Sequence, residues 1–238
     1  MKIALVTGAN KGLGYETVRQ LSRAGVYVFL SARDSAKAAE AAQALRADGH
    51  DVEALTLDVT DSDSIARAAD IVAMETGCLD ILVNNAGIKV SGDALEIKDA
   101  WSLTFDTNLF GMIEVTRSFL PMLKSSLAGR IVNVSSLAGQ LAQRRGVYGP
   151  QASMTPDAPA YGPSKIAVNL WTMRLARELS NTRIKVNAAH PGVAKTQMGG
   201  RDAPLQVCDG AKTSVALALL EEDGPTGGFF HAGKQLSW

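Results

Sequence analysis

The chain has 238 residues, with 24 Lys or Arg against 24 Asp or Glu, so its formal charge is zero. A chain of this length can bury one large α/β core without a metal or disulfide staple. The balanced charge excludes the basic surplus of a protein built to grip nucleic acid. Two cysteines, Cys78 and Cys208, make no disulfide framework and point to a reducing, cytoplasmic setting.

The first apolar run, Ile3–Thr7, is too short for a membrane span or a signal-peptide core and reads as a buried strand. A helix is expected from Gly12, with Leu13, Thr17, Leu21 and Ala24 at helical spacing and Gly25 as its stop. Val26–Leu30 follows as a strand, then an alanine-rich helix over Ser35–Ala47 with Asp34 as its N-cap. The alternation continues with strands at Val52–Leu57, Ile81–Asn84, Arg130–Ser135, Ile184–Ala188 and Gly228–Phe230. Helices are expected at Asp61–Thr76, Ala100–Lys124, Tyr161–Ser180 and Ala203–Glu222. Strands that lack polar alternation, separated by helical stretches, predict a mostly parallel sheet of seven strands covered on both faces. No linker divides the chain, so residues 1–238 read as one domain. Gly146–Pro159, with Pro150, Pro156 and Pro159, reads as a surface loop or lid.

The first strand runs into Thr7-Gly8-Ala9-Asn10-Lys11-Gly12-Leu13-Gly14, and a helix follows. Glycines allow a tight turn and a close approach to a pyrophosphate, while the helix N-terminus supplies unpaired N–H groups and a favourable dipole. Tyr15 stands where a phosphate-loop protein of the GxxxxGK type would place its lysine, which disfavours a nucleotide triphosphatase. The TGxxxGxG spacing resembles the short-chain dehydrogenase/reductase family, which implies a Rossmann-type fold, a nicotinamide cofactor and hydride transfer.

The run after the second strand, Ser31-Ala32-Arg33-Asp34, bears on the cofactor. By the family register Ala32 occupies the position that is acidic in NAD-binding members. Arg33, with Lys11 as a second cation, suits the 2′-phosphate of NADP(H). The counter-reading makes Asp34, 20 residues after Gly14, the ribose carboxylate of an NAD enzyme. The resemblance places Asp58 and Val59 beside the adenine and Asn84, Ala86 and Gly87 on the nicotinamide side. It places Pro191, Gly192, Val193 and Thr196 at the nicotinamide amide.

Tyr161 and Lys165 stand one helical turn apart, so a cation lies beside the phenol. Bringing a phenol of pKa about 10 near neutrality takes about 4 kcal/mol, which Lys165 and an oxidised nicotinamide would supply together. The family pattern adds Ser136 as the group that holds the substrate oxygen and Asn108 as the orderer of a proton-relay water. Ser135 would face elsewhere. The set Asn108, Ser136, Tyr161 and Lys165 is the expected catalytic group, with Tyr161 and Lys165 also touching the cofactor.

Ser136 and Tyr161 are 25 positions apart, about twice the separation the family often has. Carbonyl-reductase-like members share such an extension, together with the Asn10-Lys11-Gly12 and Ala32-Arg33-Asp34 elements, so that branch is the nearest match. The extension would cover the substrate cleft or obstruct dimer-forming helices, which leaves monomer and homo-oligomer both open. Pocket walls are expected from Ser91–Leu95, Gln140–Pro159 and Met198–Val207. Phe230 and Trp238 are expected to close the pocket from the C-terminal side.

His50, His190 and His231 have no metal-ligand spacing. The expected function is NADPH-dependent reduction of a small-molecule carbonyl, or its reverse, without membrane or nucleic-acid partners. Its rivals are an NAD-linked alcohol dehydrogenase and a non-catalytic NADP(H)-sensing regulator.

Overall fold

In a computed structural model of the chain, residues 1–91, 98–140 and 158–238 are described. Eight strands form one sheet in the order β3-β2-β1-β4-β5-β6-β7-β8. They are β1 (Lys2–Val6), β2 (Val26–Ala32), β3 (Val52–Thr56), β4 (Ile81–Asn84), β5 (Arg130–Val134), β6 (Lys185–Ala189), β7 (Phe229–His231) and β8 (Lys234–Leu236). All pair in parallel except β8, which returns antiparallel to β7. The eighth strand corrects the expected seven. It is made by a two-residue turn at Ala232-Gly233, both with left-handed φ (46° and 77°). The usual sequence sign of such a turn is Asn-Gly or Asp-Gly, and it is absent here.

Successive residues of the inner strands serve opposite faces, which explains their uninterrupted apolar character. Ala4 and Val6 of β1, with Val28 and Leu30 of β2, pack with helices α1 (Gly12–Arg23), α2 (Ser35–Ala47) and α7 (Val207–Ala218). Leu5 and Phe29 point the other way, onto α3 (Ser62–Thr76), α5 (Gly111–Ser125) and α6 (Tyr161–Glu178). Phe29, Phe119, Leu5, Leu82 and Ile65 are fully buried there, and each such side chain contributes about 1.5–3 kcal/mol of transfer free energy.

The expected helix over 100–124 is interrupted. It is α4 (Lys98–Phe105), a π-helical turn at Asp106–Phe110, and then α5. The helix expected over 203–222 is shorter at both ends. Leu205 is drawn into a bridge with Ala194, and the carbonyls of Leu220 and Glu221 are taken by the buried guanidinium of Arg130 at 2.9 and 3.0 Å. Among the described residues, no helix is long and apolar enough to cross a membrane.

The strand order reverses direction between β1 and β4, so a crevice opens beyond their C-terminal ends. The glycine turn, the Asn84–Gly87 segment and the ends of β5 and β6 surround it.

Candidate active site

The glycine turn is anchored from both neighbouring strands. Ala9 N–H donates to the Ser31 carbonyl at 2.7 Å, which sets the end of β2 beside the turn. Asn85 Nδ2 donates to the carbonyls of Thr7 and Gly8 at 2.8 and 3.1 Å, and Thr7 Oγ1 accepts the N–H groups of Asn85 and Ala86, each at 3.0 Å. Thr7 and Asn85 therefore shape the turn, although neither was among the expected binding residues. The signal was their place inside the two motifs, the glycine turn and Asn84–Gly87.

Gly14 shows why the spacing is strict. A β-carbon there would fall 2.5 Å from Asn85 Nδ2 and 2.8 Å from both Ala9 Cα and the Gly8 carbonyl oxygen. Gly8 has a left-handed φ of 62° and no room for a β-carbon against Ala86.

Helix α1 begins without a side-chain cap and without an acidic residue in its first turn, whereas Asp34 caps α2 and Asp61 caps α3. Its first-turn N–H groups, from Gly12, Leu13 and Gly14, suit an anion such as a pyrophosphate. The cradle fits a dinucleotide. The Leu13 side chain itself lies against Gly210 of α7.

Arg33 is exposed at the end of β2. Asp34 is committed elsewhere: Oδ1 accepts Lys37 N–H at 3.2 Å, and Oδ2 pairs with Lys37 Nζ at 3.1 Å. Asp34 is thus a helix cap, and the NAD counter-reading loses its carboxylate. Lys11 donates to Gln197 Oε1 at 2.6 Å, across from the loop after β6. Asp58 is not the start of α3, because Asp61 takes that role. Asp58 Oδ1 accepts Thr60 N–H and Oγ1 at 2.9 and 2.8 Å, and Val59 is buried beside it.

Of the Asn84–Gly87 element, Asn84 is turned into the sheet. Its Nδ2 donates to Thr116 Oγ1 and Asn133 Oδ1, both at 2.9 Å, and Asn133 donates on to Thr172 at 2.9 Å. This buried chain ties β4 and β5 to α5 and α6, so Asn84 supports the cleft from beneath while Ala86 and Gly87 lie at its edge.

The four residues expected to act together converge. The Ser136 side chain lies close enough to the Tyr161 hydroxyl to act on it. Lys165, one turn along α6, is buried, with Nζ 2.8 Å from the Val134 carbonyl and 5.8 Å from the Tyr161 ring centroid. Asn108 lies within the π turn, where Oδ1 accepts Ile88 N–H at 2.8 Å and Nδ2 donates to the Ile88 carbonyl and Ser164 Oγ at 2.9 and 3.0 Å. Gly87 marks the meeting point, since a β-carbon there would lie 3.3 Å from Asn108 Oδ1 and 3.6 Å from Lys165 Nζ. A widened turn re-aims a side chain that an unbroken helix would point elsewhere, a recurrent use of π-bulges. Ser135 faces away and donates to Asn169 Oδ1.

Within the chain itself, burial pushes the Tyr161 phenol above its ordinary value, and Ser136 offsets part of that rise. Burial in turn pushes the Lys165 ammonium down to about 8. Desolvation disfavours the charged form of both groups.

After β6, Pro191 and Gly192 turn the chain and Val193 is exposed. Thr196 accepts Gly199 N–H at 3.0 Å and stands beside Gly12. Trp238 stacks on Phe229 at 5.7 Å, and Phe230 packs against the core that α1 and α7 share. Residues 92–97 and 141–157 lie outside the described residues. They hold most of two expected pocket walls and most of the extension before Tyr161, with Pro150, Met154 and Pro156.

Residues 2–204 match the family described as short chain dehydrogenase. Carbonyl reductase [NADPH] 1 of Bos taurus is 36% identical over an alignment of 276 residues, covering 99% of this chain and 98% of that protein. The (-)-isopiperitenone reductase of Mentha piperita is 31% identical, with coverage of 99% and 98%. Among solved structures, the NADPH-bound carbonyl reductase from chicken fatty liver aligns with a TM-score of 0.86 at 30% identity, over 100% of both chains. The salutaridine reductase of Papaver somniferum aligns with a TM-score of 0.84 at 29% identity, over 97% of this chain and 99% of that one.

Proposed function

The chain belongs to the short-chain dehydrogenase family, and on that premise we propose that it is an NADPH-dependent reductase. Its reaction turns a small-molecule carbonyl into an alcohol, or runs the reverse. The observation that carries this reading is the joined set of Ser136, Tyr161 and buried Lys165, with Asn108 beside the lysine. The relatives named for NADPH-linked carbonyl reduction agree with it.

The first-turn N–H groups of α1, with Gly8, Asn10, Gly12 and Gly14, would hold the pyrophosphate. Arg33 and Lys11 would take the 2′-phosphate, and Asp58 and Val59 would border the adenine. Lys165 would bind the nicotinamide ribose with the N–H groups that Val134 leaves free. Ala86, Gly87, Pro191, Gly192, Val193 and Thr196 would border the nicotinamide.

The bound cofactor supplies the hydride. Ser136 orients the substrate oxygen, and Tyr161 donates the proton that this oxygen acquires. A phenol kept protonated by burial is in the state that this direction requires. Asn108 fixes the backbone at Ile88 and orders the path by which Lys165 reaches solvent.

The reading is tested by screening aldehydes, ketones and quinones for consumption of NADPH absorbance. Turnover of at least one class is expected, and tight NADPH binding with no oxidation of any of them would replace the enzyme by a sensor. Arg33→Ala is expected to weaken NADPH binding roughly 10- to 100-fold, the scale of a lost charge-assisted contact. NADH binding should barely change. Equal wild-type affinity for the two cofactors would end the NADPH assignment.

A further inference from the structure

Two histidines that this chemistry does not use meet where β6 leaves the sheet, and we propose that His231 is a positioning residue for the nicotinamide-side turn Pro191–Val193. The inference deepens the reductase reading and rests on it.

His231 Nδ1 lies 2.9 Å from the carbonyl oxygen of His190, the residue that leads directly into the turn. A carbonyl only accepts, so Nδ1 carries the hydrogen. The same ring faces the turn itself. Gly192 has a left-handed φ of 75°, and a β-carbon on it would fall 3.1 Å from His231 Cε1. Leu205 Cδ1 stands nearer still to that position, so Leu205 and the imidazole together fill the space that the glycine leaves. His190 is otherwise fixed: its N–H donates to the Phe230 carbonyl at 2.8 Å, and its buried ring lies 4.8 Å from that of His231.

The β7–β8 hairpin holds His231 there by an unfavourable conformation. Ala232 carries a left-handed φ of 46°, the one such non-glycine among the described residues, and its N–H is held by Thr213 Oγ1 of α7 at 3.0 Å. A strained backbone persists where its surroundings over-determine it. Here the strained turn sets the imidazole against Gly192. The hairpin also reaches the opposite wall. Past β8, the Ser237 carbonyl accepts Gln140 Nε2 at 2.6 Å, just beyond the 3₁₀ turn that Ser136 caps. One element therefore touches the serine side and the nicotinamide side, and the spacing between the two is what hydride transfer requires to be fixed.

The test is a fluorescence titration of NADPH into the full-length wild type, His231→Phe and His231→Asn. Single-turnover hydride transfer and thermal melts accompany it. Phe keeps a ring and loses the donor; Asn returns a donor where Nδ1 stood. His231→Phe is expected to raise the NADPH Kd about fivefold, the scale of one lost hydrogen bond. It should slow hydride transfer further and leave the substrate KM unchanged. Asn should restore the Kd to within about twofold of wild type, on the same scale. Thr213→Val, which releases the hairpin without touching either histidine, should repeat the His231→Phe result and carries the comparison if that variant does not fold. Wild-type affinity and rate in His231→Phe, or no rescue by Asn, would overturn the proposal. A wild type that binds no NADPH overturns the reductase reading and this inference with it.

Discussion

Replacing Tyr161 with Phe is expected to lower turnover about 10³-fold, within the 10²–10⁴ that a positioned general acid contributes. NADPH affinity should stay within a few-fold of wild type. The phenol lies beside the Ser136 side chain, just beyond the C-terminal edge of β5. Phe keeps the ring, and with it the packing at the start of α6, but removes the proton that the product alcohol must receive. Burial holds the Tyr161 phenol above its ordinary value, so at neutral pH the residue is charged with its proton and ready to give it up. The same fact makes the reverse reaction harder without help, because a base must first be made from a buried phenol. Reduction should therefore reach its full rate at lower pH than oxidation. Steady-state rates in both directions across pH, with NADPH binding measured separately, check the prediction. A Tyr161→Phe enzyme that turns over within about tenfold of wild type would remove Tyr161 from the chemistry.

The parts of this site that could be read from the residues are those set by local chemistry. The glycine turn, the Asp34 cap and the Tyr161–Lys165 turn each depend on neighbours within a few positions, and each lies where spacing alone puts it. What escaped depends on distant partners. The widened turn at Asn108 joins helices that otherwise continue one pattern; Asn108 and Gly111, weak helix formers, mark the place but not its form. The eighth strand hangs on an Ala-Gly turn that a propensity rule would pass over. Lys11 could be read as a cation but not as the partner of Gln197, because that contact spans most of the chain. The lysine one turn from Tyr161 is visible in the sequence, whereas the burial of both groups is set by tertiary packing.

That burial has a second consequence, which makes Lys165 costly to keep. Its ammonium is enclosed with the Val134 carbonyl at 2.8 Å, and burial alone brings it down to about 8 from the ordinary 10.5. In the unfolded chain the group keeps its proton up to about pH 10.5. Below pH 8 both states are protonated and the full penalty of enclosing a charge falls on the folded state, about 3 kcal/mol at 1.36 kcal/mol per pKa unit. Between pH 8 and 10.5 the folded chain binds fewer protons than the unfolded one, so stability rises with pH as the penalty fades. Lys165→Met keeps the length of the side chain and removes the charge. It also leaves the Val134 carbonyl without this donor, which costs about 1 kcal/mol. The cofactor-free variant is therefore expected to be about 2 kcal/mol more stable than wild type at pH 7, equivalent to roughly 4–8 °C in Tm for a chain of this size. The gain should shrink toward pH 10.5. Turnover should fall sharply, because the variant has neither a ribose contact nor a relay to solvent. Urea unfolding at pH 7 and pH 10 decides the matter. A variant no more stable than wild type at pH 7, or a difference independent of pH, would mean that the ammonium is solvated in the folded state, and the proposed site would lose its enclosed cation.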